Sequence, residues 1–129
     1  MSIVATKKKR PVYLNLVQIR LPVPGFVSIL HRISGALLFV AGAGLLFLLD
    51  RSLVSEAGFD SVRRYAGYPI VKLALLALVW AYCHHFCAGI RYLFLDLDKG
   101  GDLATARLTS WIVLGASIFL TVFLGWKLW

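Results

Sequence analysis

The chain has 129 residues, a single domain's worth, of which 60% are hydrophobic, and its mean hydropathy is +0.80. Only 16% of the residues are charged, and the net charge of +8 is unevenly spread along the sequence. Long stretches without any charge exclude a soluble enzyme and predict an all-α membrane protein with three membrane-spanning helices.

Residues 1–25 form a basic head that contains prolines, which we predict to be cytoplasmic and separate from a single membrane domain over residues 26–129. Pro22 and Pro24 predict a turn that stops helical structure before the first span. No small-residue cleavage site follows the first apolar run, so a removable signal peptide is not expected. A basic head is also compatible with nucleic-acid binding, but charge beside a span already explains it, and no nucleic-acid partner is predicted.

The first predicted span covers about residues 26–49. Ser28 and Arg32 are four residues apart and share one helix face near the inner end, where a hydroxyl and a guanidinium can hydrogen-bond a carbonyl or a carboxylate. Alternatively, Arg32 extends to the basic membrane surface. His31 points about 100° away from Arg32. Small residues of this span predict close helix contact: Gly35, Ala36, Ala41, Gly42, Ala43 and Gly44.

Residues 50–68 are predicted to form an outer loop with a short helical turn after Asp60, and the second span covers about residues 69–95. His84 and His85 lie well inside this span and point about 100° apart, so at most one of them can ligate a given haem iron. Gly89, one turn beyond His85, leaves room for a flat macrocycle against the helix. A membrane histidine can equally be a hydrogen-bonded packing residue.

Depth distinguishes the histidines of the first two spans. Counted from the inner span ends, His85 lies about 15 Å deep and His31 about 8 Å deep, at 1.5 Å per residue. We therefore expect the two at different levels, with His31 suited to the propionate edge of a haem and a second iron ligand supplied by a partner subunit. Lys72 and Arg91, near span ends, are expected to extend to the membrane surface.

The third span is predicted over about residues 105–126, after a tight inner loop that contains Gly100 and Gly101. With the N-terminus and this loop on one side, that side carries nine Lys and Arg residues, and the other side carries five. The bias predicts a cytoplasmic N-terminus and a periplasmic C-terminus. A multi-pass protein of the bacterial inner membrane is the expected location.

Two segments resemble the two signatures of the cytochrome b anchor subunit of succinate dehydrogenase. The first comprises Arg10-Pro11, Leu14, Leu16 and Ser28-x-x-His31-Arg32-x-Ser34-Gly35. The second comprises His85-x-x-x-Gly89-Ile90-Arg91, Leu93 and Asp96. The likeness extends over nearly the whole chain, because the length, the three spans and the basic head also fit. Tyr92 departs from it, since the family usually has a histidine there, and His84 stands where relatives often have an aromatic residue.

The resemblance implies a subunit of succinate:quinone oxidoreductase, complex II of a respiratory chain, that is not catalytic on its own. A flavoprotein subunit with FAD would oxidise succinate to fumarate, and a subunit with iron–sulfur clusters would pass the electrons to ubiquinone. This chain and a second three-span anchor subunit would form a helical bundle in the lipid that holds the soluble pair on the cytoplasmic face.

The resemblance also implies roles for individual residues. His85 would be one axial ligand of haem b, with the other ligand from the partner anchor. Ser28 and Arg32 would line the quinone site, and His31 and Arg32 would meet the haem propionates.

Two other functions stay open at this point. An anchor that binds quinone without haem would keep Ser28 and Arg32 but would not need the face of His85 and Gly89. A small transporter or channel subunit would line a polar path with Arg32 and the histidines, although no acidic residue lies within a predicted span to relay protons or cations.

Overall fold

The computed structural model describes residues 20–129, and over that range the chain forms four helices and no β-strand. These are α1 (Val23–Val54), α2 (Glu56–Ala66), α3 (Pro69–Asp96) and α4 (Leu103–Leu128). Since α1, α3 and α4 are each long and apolar enough to cross a membrane, the predicted all-α, three-span architecture is confirmed. The basic head lies almost wholly outside the described residues, and its separation from a membrane domain stays a prediction.

The prolines before the first span lie at the start of α1 rather than in a turn that precedes it. Pro22 is the N-cap, and its carbonyl accepts hydrogen bonds from the backbone N–H groups of Gly25 (2.9 Å) and Phe26 (3.1 Å). Pro24 occupies the first helical turn, where its missing N–H breaks no intrahelical bond. The expectation that this segment stays non-helical is therefore wrong from Val23 onward.

The connection between the first two spans is also more helical than predicted. α1 continues to Val54, and α2 follows after one non-helical residue, where only a short turn after Asp60 was expected. That residue, Ser55, explains the difference, because its hydroxyl accepts a hydrogen bond from the N–H of Gly58 at 3.0 Å and so caps α2.

α3 is the central helix, since it packs extensively against both α1 and α4, whereas α1 and α4 touch each other less. Val27, Ala88 and Val113, one from each spanning helix, form the small buried core. α4 also buries a row of hydroxyl side chains that each donate a hydrogen bond to a carbonyl of their own helix: Ser110, Ser117 and Thr121. Small residues of this kind allow close helix approach in lipid.

Among the glycines of α1, Gly35 lies at the close contact with α3. A Cβ atom built on Gly35 would stand 2.7 Å from Cε1 of His85. A Cβ atom on Gly42 or Gly44 would meet nothing within 4 Å. Of these three small residues, the described helices use Gly35 for a close approach.

Candidate functional site

The two predicted haem-contacting histidines meet where α1 packs against α3. Their imidazole rings stack with centroids 4.1 Å apart and planes inclined by 6°. His31 and His85 therefore lie at one level in the membrane, and the expectation of two depths is wrong. The residue count assumed that the inner ends of α1 and α3 are level. In the structure His31 lies 8 residues from the start of α1 and His85 lies 11 residues from the end of α3. The end of α3 therefore projects beyond the start of α1 by three residues, about 4.5 Å at 1.5 Å per residue.

The stacked geometry nevertheless prevents the two histidines from ligating one iron together. Axial ligands approach the metal from opposite faces of the macrocycle, each with a ring nitrogen directed at it. These two rings instead lie flat against each other. A second axial ligand from another chain therefore stays a prediction. Its reason is now the parallel stacking of the two rings and not a difference in their depth.

The tautomer of His85 follows from its hydrogen bonds to α1. Its Nδ1 atom lies 3.1 Å from the backbone carbonyl oxygen of His31 and 3.3 Å from Oγ of Ser34. The Ser34 hydroxyl itself donates to the same His31 carbonyl at 3.0 Å. Because a carbonyl can only accept, Nδ1 carries the proton, and the lone pair of the neutral ring is left on Nε2.

Gly89 lies one turn beyond His85 and faces His31. A Cβ atom there would approach only Nε2 of His31, at 3.8 Å, which is an ordinary van der Waals distance. Packing within the described chain thus does not require a glycine at this position. The absence of a side chain next to the His85 face instead leaves room for a ligand.

Ser28 and Arg32 lie on α1, three residues before and one residue after His31. Ser28 is half-buried and Arg32 is exposed. Neither side chain makes an ion pair or a hydrogen bond with another side chain or backbone group of residues 20–129. Because Arg32 lies in the first turns of a spanning helix, it can also reach the membrane surface.

His84, the neighbour of His85, has a different environment. It is fully buried and stacks on Trp80 with ring centroids 5.4 Å apart and planes inclined by 22°. Among the described residues neither of its ring nitrogens has a hydrogen-bond partner. The two adjacent histidines therefore make different contacts, as the 100° between them predicts.

Tyr92 completes the aromatic cluster around His31. Its ring centroid lies 5.0 Å from that of His31 at an angle of 54°, and its hydroxyl is buried without a partner among the described residues. The guanidinium carbon of Arg91 lies 5.5 Å from the Tyr92 centroid, within cation–π range. Tyrosine at this position thus packs on His31 and presents an unused hydrogen-bond donor.

Arg91 is a residue whose role the sequence interpretation missed. Instead of extending to the membrane surface, it is only 8% exposed, and its Nε donates to Oγ1 of Thr109 at 3.0 Å. A second, longer hydrogen bond joins its Nη2 to the carbonyl oxygen of Ala106 at 3.5 Å. The guanidinium therefore ties α3 to α4. The adjacent polar residues Thr109 and Ser110 at the start of an otherwise apolar span were the signal for this contact.

The described residues contain no cluster of three or more His, Cys, Asp or Glu side chains that could hold a metal ion. Within residues 20–129, the site has one imidazole whose Nε2 makes no hydrogen bond, a second imidazole stacked on it, and a hydroxyl and a guanidinium on the same helix as the second imidazole. One axial position of a macrocyclic metal, rather than a complete coordination sphere, matches this set.

Comparison with known proteins gives a consistent set of relatives. The family model described as succinate dehydrogenase/fumarate reductase transmembrane subunit matches residues 6–124. The chain is similar to the succinate dehydrogenase cytochrome b556 subunit of Rickettsia felis, with 34% identity over 116 residues, 90% of each chain. It is also similar to the subunits of that name from Coxiella burnetii, with 32% identity over 94% of this chain and 98% of the relative, and Paracoccus denitrificans, with 33% identity over 88% and 87%.

Proposed function

The chain belongs to the family of succinate dehydrogenase/fumarate reductase transmembrane subunits, and we propose that it binds haem b and helps to form a ubiquinone-reduction site. As a cytochrome b subunit it is a multi-pass protein of the inner membrane, in keeping with its three spans and its bacterial relatives. It is not catalytic alone. In the proposed complex, succinate is oxidised at FAD in a flavoprotein subunit, and the electrons leave through iron–sulfur clusters in a second soluble subunit.

The observation that carries the haem assignment is the hydrogen bond from Nδ1 of His85 to the carbonyl of His31. Histidines that ligate metals characteristically donate their other ring N–H to a carbonyl or a carboxylate, which fixes the tautomer and the ring orientation. His85 thus presents Nε2 as one axial ligand, and a second anchor subunit supplies the other. When bound, the haem provides a one-electron carrier inside the membrane.

His31 and Arg32 are proposed to hold the haem propionates. The ring of His31 stacks on His85 and contacts Tyr92, so it lies directly beside the imidazole that would hold the haem, and its ring N–H can donate to a carboxylate. Arg32 adds a permanent positive charge, and its planar fork of N–H donors matches a carboxylate.

Ser28 and Arg32 are proposed to line the quinone site. The Ser28 hydroxyl can donate a hydrogen bond to a quinone carbonyl, and Arg32 can orient the ring and offset negative charge as electrons arrive. A guanidinium is a poor proton donor, because it keeps its charge. The protons of the quinol therefore come through water or from a side chain of another subunit.

We also propose the orientation and the assembly. The Lys and Arg bias places the N-terminus and the loop between α3 and α4 in the cytoplasm. The two soluble subunits dock on that face, and the second anchor subunit packs beside the three spans in the lipid. Attraction of the basic head to either anionic lipid or soluble subunits suits this arrangement.

An anchor that binds quinone alone accounts less well for the geometry. It gives no reason for a glycine at position 89, where a side chain would meet only an ordinary contact. A transporter subunit is disfavoured further, because the one charged side chain buried in the described spans, Arg91, is bound to α4 rather than directed into a polar path.

The substitution Arg32→Ala tests the quinone assignment in the complete complex. We expect succinate-driven ubiquinone reduction to fall about tenfold or more, since losing a hydrogen bond to a charged group costs about 1.5–3 kcal/mol. Succinate oxidation by a soluble dye should be unchanged. Arg107→Ala, which removes an exposed arginine from α4 on the same predicted side, is the matched control and should leave both rates intact. Normal ubiquinone reduction in Arg32→Ala would contradict the assignment.

A further inference from the structure

α2 is a two-faced helix that the proposed function does not use. At 100° per residue, its large apolar side chains and its last alanine fall within one third of the helix circumference: Phe59, Val62, Tyr65 and Ala66. Its charged side chains occupy the opposite face: Glu56, Asp60, Arg63 and Arg64. A helix of this length is stabilised by burial of its apolar face and not by intrinsic helix propensity. This face must therefore pack against other helices, a partner protein or lipid.

The chain's own helices cover only the middle of this face. Val62 and Ala66 are half-buried, whereas Phe59 is 54% and Tyr65 63% exposed on either side of them. The two exposed rings lie about 120° apart around the helix and flank the contact with the spans. Tyr65 also makes an edge-on contact with Tyr68, with centroids 6.0 Å apart, and Tyr68 is itself exposed.

Short connecting segments keep α2 close to the end of α1 and the start of α3. One residue, Ser55, separates it from α1, and two residues, Gly67 and Tyr68, separate it from α3. Each residue extends a chain by at most about 3.6 Å, so α2 is confined to the level at which α1 leaves the hydrocarbon and α3 enters it. Its exposed aromatic rings therefore lie at the level where these two spans end.

We propose that α2 lies in the headgroup layer of the bilayer, with Phe59 and Tyr65 inserted to the acyl-chain boundary on either side of the spans. Aromatic residues are favoured at this depth, and helices with a polar and an apolar face lie in the membrane plane there. The two acidic and two basic residues of the polar face balance, so the apolar face supplies the attraction and anionic lipid is not required. This inference does not rest on the haem or the quinone assignment.

Photo-crosslinking in the intact complex tests the position of α2. p-Benzoylphenylalanine is introduced in place of Phe59, or in place of Tyr65 as a second site, and the complex is irradiated in vesicles of phosphatidylethanolamine and phosphatidylglycerol. The matched control carries the same group in place of Arg64, an exposed residue about 140° around the helix from Phe59 and about 100° from Tyr65. Adducts on the α2 peptide are then identified by mass spectrometry.

We expect phospholipid adducts at both aromatic positions, severalfold more abundant than at position 64. Adducts to a partner subunit at these positions would show that protein, not lipid, covers the face and would overturn the proposal. Equal lipid adducts at positions 59 and 64, or none at 59 and 65, would also overturn it.

Discussion

Replacement of Gly35 by alanine probes the contact on which the histidine geometry depends. The added Cβ would stand 2.7 Å from Cε1 and 3.2 Å from Nδ1 of His85, and ordinary contact requires at least about 3.4 Å. The imidazole must therefore shift by about 0.7 Å, or the two helices must separate. A shift of that size away from α1 carries Nδ1 from its present 3.1 and 3.3 Å distances to the limit of hydrogen bonding or past it.

Three terms determine the change in the free energy of unfolding, two unfavourable and one favourable. Overpacking a close contact costs about 1–3 kcal/mol, and the loss of the Nδ1 hydrogen bond adds about 0.5–1.5 kcal/mol. Exchange of glycine for alanine within a helix stabilises the folded state by about 0.5–1 kcal/mol. Gly42→Ala gains the same helix term without the clash, because its Cβ meets nothing within 4 Å. The helix term cancels between the two variants, so we expect Gly35→Ala to be less stable than Gly42→Ala by the sum of the other two terms, about 1.5–4.5 kcal/mol.

The assay compares both variants as purified complexes in mild detergent. Thermal unfolding at one scan rate reports stability, and the haem content and the redox difference spectrum report the environment of His85. Gly35→Ala should unfold at a lower temperature and show a perturbed or diminished b-type band. Gly42→Ala should unfold at a slightly higher temperature than the unmodified complex, because of its helix term, and show an unchanged band. Unchanged stability and an unchanged band in Gly35→Ala would refute the packing of His85 against α1.

Two further predictions concern α4. Thr109→Val removes the oxygen that accepts the hydrogen bond of the buried Arg91 and should lower the stability of the complex by roughly 1 kcal/mol. Thr109→Ser keeps that oxygen and should unfold at the temperature of the unmodified complex. Equal unfolding temperatures for the two variants would contradict a stabilising hydrogen bond between α3 and α4. The hydrogen bond from the Thr105 backbone N–H lowers the pKa of Asp102, so its cap stabilises the start of α4 above the ordinary carboxyl pKa and is lost as the pH falls through the lowered value. Hydrogen exchange at the Thr105 amide should therefore show less protection at pH 3 than at pH 7, after correction for intrinsic rates, and Asp102→Ala should abolish this difference; equal protection in the unmodified chain would contradict it.

Hydropathy predicted the three spans well because membrane insertion depends on local composition. Charge-free runs such as Ile33–Leu49 satisfy that requirement by themselves, wherever the neighbouring helices lie. Helix ends were less predictable, since they depend on capping. Pro22 and Ser55 each start a helix at a point where composition alone predicted a turn or a loop.

The site was predictable residue by residue but not in its relative geometry. The spacing along each helix identified His85 with Gly89, and Ser28 with Arg32, because 3.6 residues per turn determines which side chains share a face. The stacking of His31 on His85 was missed, because it depends on the axial offset between α1 and α3, which no single helix encodes. The buried contact of Arg91 was missed for the same reason, since its acceptors lie on α4.

The most direct test of the central claim is the dithionite-reduced minus oxidised spectrum of the complex purified with its partner subunits. The unmodified complex should show a b-type band that is lost or perturbed in His85→Ala. It should persist in His84→Ala, because the His84 ring stacks on Trp80 instead of facing the ligand position. A normal band in an intact His85→Ala complex would contradict the assignment of His85 as an axial ligand of haem b.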